Sequence, residues 1–265
     1  MNRIILLYNK KASETKDKLV QVAREKFNTE LIPVNNSENL RNYPSNIPIL
    51  KYGLGTGFDL DKDEQAILFE DIIPNTLIND VDEIGDYDTV VVKNPYTTLM
   101  LGKDYKKLDD DIPVYKYIQN KSEWRINYSF GKINSIYNKN LTPSTIFGKA
   151  DITQWEYEKD KKIRGQLIKY IEGIVQVLRD EEYTEVEHFG VDIIRDNTTG
   201  QFYFLELNLA HALNEENCFF FLRGYFEKKN IPTQSINIAT SPVNNTVTVT
   251  LTVEQRNLLR QVLGL

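Results

Sequence analysis

The chain has 265 residues and a formal charge of −6, with 41% apolar and 26% charged residues, which suits one large or two small folded domains and excludes disorder. The acidic excess argues against broad binding to nucleic acid or to an anionic membrane. One cysteine, Cys218, excludes an internal disulfide, and with only His188 and His211 beside it a structural zinc is not expected. A short apolar run, Ile4 to Leu7, precedes lysines, the reverse of a signal peptide. No stretch reaches the roughly 20 apolar residues of a membrane span, so a soluble, cytoplasmic protein is expected.

In chain order, Ile4 to Tyr8 reads as a buried strand. Ser13 to Phe27 reads as a helix with Leu19, Val20, Val22, Ala23 and Phe27 along one face and Ser13 as N-cap. Glu30 to Val34 is the next strand, giving a βαβ start. A polar loop follows, then a strand from Ile47 to Leu50 that runs into Gly53, Gly55 and Gly57. No helix opens directly from these glycines, as a phosphate loop requires, so they read as a tight turn. Asp59, Asp61, Asp63 and Glu70 stand at positions 1, 3, 5 and 12 of a calcium loop, but Glu64 replaces the glycine that its sharp turn needs. The segment reads instead as an acidic helix start.

Further on, Thr89 to Lys93 and Val114 to Ile118 are short strands. Trp124 to Phe130 and Ile133 to Tyr137 form a hairpin turning at Gly131-Lys132. Lys162 to Arg179 is an amphipathic helix whose core face is Leu167, Ile171, Ile174, Val175 and Leu178. The strands Phe189 to Arg195 and Gln201 to Leu207 form a second hairpin, followed by a helix, Glu216 to Phe226. After a polar linker comes a β-like run, then a tail helix with a capping box at Thr252 and Gln255.

The second hairpin concentrates chemistry. Asp192 and Glu206 are centred on Thr199, so a three-residue loop 198–200 with Gly200 in the left-handed position sets them opposite each other. Asn208, two residues beyond Glu206, shares its face. Two carboxylates and an amide oxygen converging in this way repel one another unless a cation lies between them, and hard oxygen donors suit Mg2+. Upstream lie Lys93, Arg125 and Lys139, for which phosphate is a natural partner. Glu123 suits a ribose hydroxyl or Arg125. The segment Tyr115, Lys116, Tyr117 and Ile118 offers backbone amides and apolar side chains for an adenine edge.

This order, Val-Val-Val-Lys93, then Val114 to Ile118, Lys121 to Ile126, Lys139, Phe189-Gly-Val-Asp192 and Leu205-Glu206-Leu-Asn208, resembles the ATP-grasp superfamily. The likeness spans roughly residues 45 to 225 and is most similar to compact ribosomal-protein-glutamate-ligase-like members found in phage genomes. It implies an α+β chain, α/β-like at its N-terminus, with two lobes clamping ATP and an antiparallel sheet in the C-terminal lobe. The implied divisions are a reduced N-terminal domain at 1–75, a small lobe at 76–118, a large lobe at 119–230, and a linker and tail at 231–265. It further implies Mg2+ on Asp192, Glu206 and Asn208, catalysis by Arg125 and Lys139, and nucleotide on Lys93, 115–118 and Glu123. The implied reaction makes an acyl phosphate from a carboxylate and passes it to an amine.

Two features depart from that pattern. The segment after Lys93 carries one glycine, Gly102, where the family has a glycine-rich loop, leaving phosphate coverage to Thr97, Thr98 or Lys103. The usual proline after Glu-x-Asn is replaced by Leu209-Ala210-His211. A non-catalytic module on the same fold is the alternative reading, with the apolar tail stripe Leu258, Leu259, Val262 and Leu263 meeting a protein partner or a second copy. A kinase-like phosphotransferase is a third.

Overall fold

A computed structural model describes residues 2–9, 12–35, 37–53, 57–78, 90–93, 98–101, 114–119, 121–143, 150–232, 238–240 and 247–249. The first elements are β1 (Asn2–Tyr8), α1 (Ser13–Phe27), β2 (Thr29–Val34), β3 (Ile49–Tyr52) and α2 (Lys62–Leu68). Three short strands follow, β4 (Val90–Lys93), β5 (Thr98–Leu101) and β6 (Val114–Lys116). Then come β7 (Lys121–Ser129), β8 (Lys132–Pro143), β9 (Ala150–Tyr157), α3 (Lys161–Asp180), β10 (His188–Asp196) and β11 (Phe202–Asn208). The last are α4 (Glu215–Lys228), β12 (Ile238–Thr240) and β13 (Val247–Val249). The chain divides into two compact units, Met1–Lys51 with Ala212–Leu265, and Tyr52–His211.

In the first unit, β1 and β2 run parallel in a sheet of order β2-β1-β3, with α1 as the crossover. Ala12, not Ser13, takes the N-cap position and supplies no side-chain hydrogen bond; Ser13 is the first helical residue. Helix α4 belongs to this unit, although its sequence position suggested the large lobe. Its apolar face holds it on α1: Phe27 stacks on Phe219 at 5.1 Å and meets Phe226 edge-on at 4.9 Å. Thr15 Oγ1 accepts from the Leu213 amide at 3.2 Å just before α4 begins.

The second unit holds two antiparallel sheets, β5-β4-β6 and β11-β10-β7-β8-β9. The larger sheet buries one face, with Trp124, Ile126, Ile136, Val191, Ile193, Phe204 and Leu207 in one core with Leu167, Ile171, Ile174 and Leu178 of α3. Val175 is only partly buried against that core. Strands β7 and β8 turn at Phe130-Gly131, one residue earlier than expected; both have positive φ, 48° and 86°, as a two-residue hairpin turn matching the strand twist requires.

A strap from Pro74 to Ile78 joins the two sheets. Phe204 N donates to Pro74 O at 2.8 Å, Lys116 N to Thr76 O at 2.7 Å, and Ile78 N to Val114 O at 2.8 Å. The acidic segment before it starts α2, as expected. The Asp61 side chain accepts from the amides of Asp63 and Glu64, both at 3.0 Å, and Glu64 returns a bond to the Asp61 amide at 2.9 Å. Of the calcium-like pattern, Asp61 thus caps a helix, with Glu64, which replaces the loop's glycine, completing the capping box. Among the described residues no helix is long and apolar enough to cross a membrane.

Candidate active site

The site lies on the polar face of the five-stranded sheet, and its residues follow from strand register. One row across the sheet runs Glu206, Asp192, Arg125, Tyr137, Tyr157, and the next runs Glu123, Lys139, Trp155. Asp192 and Glu206 face each other as expected, but by a different route. The turn is one residue longer, with the Asp196 amide donating to Gln201 O at 2.9 Å and Gly200 at φ 79° inside the loop. That shift alone would set Asp192 opposite Leu205. A bulge between Asp192 and Ile193 restores the pairing by leaving Leu205 as the extra residue. The bulge also switches the alternation, so Phe204 and Leu207 face the core while Glu206 and Asn208 face the site.

Four charges interlock around Asp192, itself one of them. Arg125 grips Asp192 with a two-pronged fork through Nε and Nη2. Lys139 Nζ lies 3.0 Å from Asp192 Oδ1 and also pairs with Glu123. Glu123 is expected on a ribose or on Arg125; its cross-strand position opposite Lys139 makes Lys139 its ion-pair partner here. Burial pushes the Asp192 carboxyl up, but Arg125 and Lys139 outweigh it and hold it below its ordinary range. Trp155 covers both cations, 5.8 Å from Arg125 and 5.4 Å from Lys139.

Glu206 has a partner that the sequence reading missed, Lys62, whose Nζ is 2.6 Å from Oε2. Asn208 Nδ2 donates to Glu206 Oε1 at 2.8 Å. Burial raises the Glu206 carboxyl, and Lys62 with Asn208 brings it below its ordinary value. Among the described residues no three His, Cys, Asp or Glu side chains converge as a metal group. A metal here would rest on two carboxylates and an amide, a hard oxygen set that fits Mg2+ once the ammonium and guanidinium partners yield.

The nucleotide-edge residues divide. Tyr115 and Ile118 are buried and Lys116 and Tyr117 half-buried. The Tyr115 hydroxyl donates to Asp63 of α2, and the Lys116 amide is engaged by Thr76 O, so that amide is not presented to an adenine as expected. Lys121 Nζ sits 5.7 Å over the Tyr117 ring. Lys93 closes β4 opposite Thr98, placed here by its backbone alone. Lys103 and Thr97, with the tail stripe and its capping box, lie outside the described residues.

Gly190, opposite Asn208, explains a further missed residue, His211. A Cβ on Gly190 would lie 2.8 Å from His211 Cγ and 3.1 Å from Arg125 Cδ, so the imidazole packs there because the side chain is absent. The ring is pinned through Nδ1 to Asn208 O at 3.0 Å. Gly190→Ala is therefore expected to destabilise the protein by about 1–3 kcal/mol through displacement of both groups, read as a lower urea midpoint.

Two antiparallel sheets are joined by a strap, with opposed carboxylates on the polar face of the larger, and the solved structures that this chain resembles give it the ATP-grasp fold. No protein-family model and no curated protein matches the sequence. Among solved structures it is similar to D-alanine–D-alanine ligase from Bacillus anthracis, at TM-score 0.58 and 13% identity over 86% of this chain and 96% of that one. The same enzyme complexed with ATP gives TM-score 0.56 and 12% identity, covering 81% and 88%. The ATP-grasp ligase PsnB, complexed with a precursor variant, Mg and ADP, gives 0.55 and 9%, covering 86% and 99%. At such identities the likeness is one of fold.

Proposed function

We propose that this protein is an ATP- and Mg2+-dependent carboxylate–amine ligase. The observation that carries the reading is the opposition of Asp192 and Glu206 across the β10–β11 ladder, with Asn208 bonded to Glu206, on the face that also carries Arg125 and Lys139. Mg2+ on Asp192, Glu206 and Asn208 would supply charge neutralisation to the polyphosphate. Arg125 and Lys139 bind and orient the γ-phosphate, offsetting the charge that develops as a substrate carboxylate attacks it. The carboxylate oxygen takes the γ-phosphoryl group as its bond to the β-phosphate oxygen breaks and ADP leaves; an amine then attacks the acyl carbon, expels phosphate and loses a proton, forming the C–N bond. No side-chain nucleophile takes part. The reading extends to a cytoplasmic setting. The finer likeness to phage-type ribosomal-protein glutamate ligases is supported by the sequence pattern of the site.

One observation favours a second reading, a non-catalytic module: Asp192 and Glu206 both already hold cationic side chains. Calorimetry with a non-hydrolysable ATP analogue and Mg2+ separates the two. Wild type is expected to bind, and Glu206→Ala to bind at least about tenfold more weakly. Absence of heat from wild type at millimolar nucleotide refutes the ligase.

A further inference from the structure

The first turn of α2 forms a third wall of the site that the ligase pattern does not include. It is fixed at three points. The Leu207 amide of β11 donates to Gln65 Oε1 at 2.8 Å, and Gln65 Nε2 returns to Leu60 O at 3.0 Å. Asp63 holds the Tyr115 hydroxyl on β6, and the Asp61 cap fixes where the helix begins. Lys62 is the first helical residue, three before Gln65 and so on the same face. The anchorage brings Nζ to 2.6 Å from Glu206 Oε2.

We infer that Lys62 is a positioning residue of the nucleotide–metal site, standing in for the metal on Glu206 until a polyphosphate draws its ammonium away. This rests on the ligase reading and adds to it. An ammonium at 2.6 Å and a divalent cation at about 2.1 Å cannot share one carboxylate oxygen without strong like-charge repulsion. Asp192 is similarly engaged by Arg125 and Lys139, so both carboxylates are neutralised without metal. A free divalent ion must displace these cations with nothing to receive them. A metal–nucleotide complex brings phosphate oxygens that accept Lys62, Arg125 and Lys139 as they leave. The consequence is strict coupling: metal binds with nucleotide and poorly alone.

Electron paramagnetic resonance of Mn2+ tests this, because depletion of the free-ion signal reads metal binding without turnover. Wild type is expected to bind Mn2+ only when ADP is present. Lys62→Met is expected to bind Mn2+ alone at least tenfold more tightly than wild type, and Lys62→Arg to behave as wild type. Lys62 is about half exposed, so neither change disturbs the core, and matching urea midpoints check this. Equal Mn2+ affinity of wild type and Lys62→Met overturns the inference, whether or not ADP binds. Failure of every protein to bind ADP with Mn2+ overturns the ligase reading together with it.

Discussion

Between pH 6.5 and about 4 the nucleotide-free protein is expected to lose stability steeply, by up to about 2.7 kcal/mol per pH unit near pH 5. Two buried imidazoles are the cause. His188 stacks on Tyr52 at 4.9 Å with the rings 16° apart, and burial pushes its pKa down to about 4. Burial, then the charge of Arg125, pushes His211 down to about 3. In the unfolded chain both rings titrate near their ordinary value of about 6.5. Below that pH the unfolded state binds two protons that the fold refuses, so the equilibrium moves toward unfolding. The stability concerned is fully present above pH 6.5 and is lost as the pH falls toward the folded values. The Asp192 and Glu206 carboxyls, held below their ordinary range, add a further loss at lower pH, as the fold's carboxylates protonate. Urea midpoints at pH 7.5, 6 and 5 check this, and His188→Gln should bring the slope near the one proton left to His211. A slope under one proton in wild type would mean that the rings are not buried as neutral groups.

The parts of this fold that were legible in the sequence are those where one local rule decides. Helix α1 was read to the residue because its apolar spacing has no competing period, yet its cap was misplaced, since a serine at the start of a helix need not turn back on it. Helix α3 was read from the same signal. The opposition of Asp192 and Glu206 was read correctly although the turn was not, because a longer loop and the Leu205 bulge cancel, and a bulge leaves no composition signal. Partners were less legible than positions. Glu123 takes Lys139 through the β7–β8 register, which the earlier turn and a bulge between Asn127 and Tyr128 set together. Lys62 approaches Glu206 across 144 residues of chain, by way of a helix whose acidic residues drew attention to calcium instead. His211 was visible only as a departure from the proline of the pattern. Its role follows from the space above Gly190, which no spacing rule reports.

The largest expected mutational effect is at Asp192, and it separates the two carboxylates of one motif. Asp192→Ala removes the carboxylate shared by Arg125 and Lys139, whose side chains are 14% and 3% exposed. Lys139 keeps Glu123, but Arg125 loses its fork, leaving a buried guanidinium with the Trp155 ring above it. Breaking a buried pair in this way costs about 3–5 kcal/mol. Were Asp192 only a metal ligand, the metal-free protein would gain from its removal, because its charge opposes that of Glu206. The sign of the effect without metal therefore reports the structural role. Glu206→Ala is the control: its partner Lys62 is 47% exposed, and water replaces the lost carboxylate at a cost of about 0–1 kcal/mol. On the ligase reading both substitutions should weaken Mg2+-dependent nucleotide binding at least about tenfold, while the first should lower the urea midpoint in metal-free buffer by several times more than the second. Equal midpoints for the two variants would contradict the interlocked charges, because a solvated Asp192 would be as dispensable to the fold as Glu206.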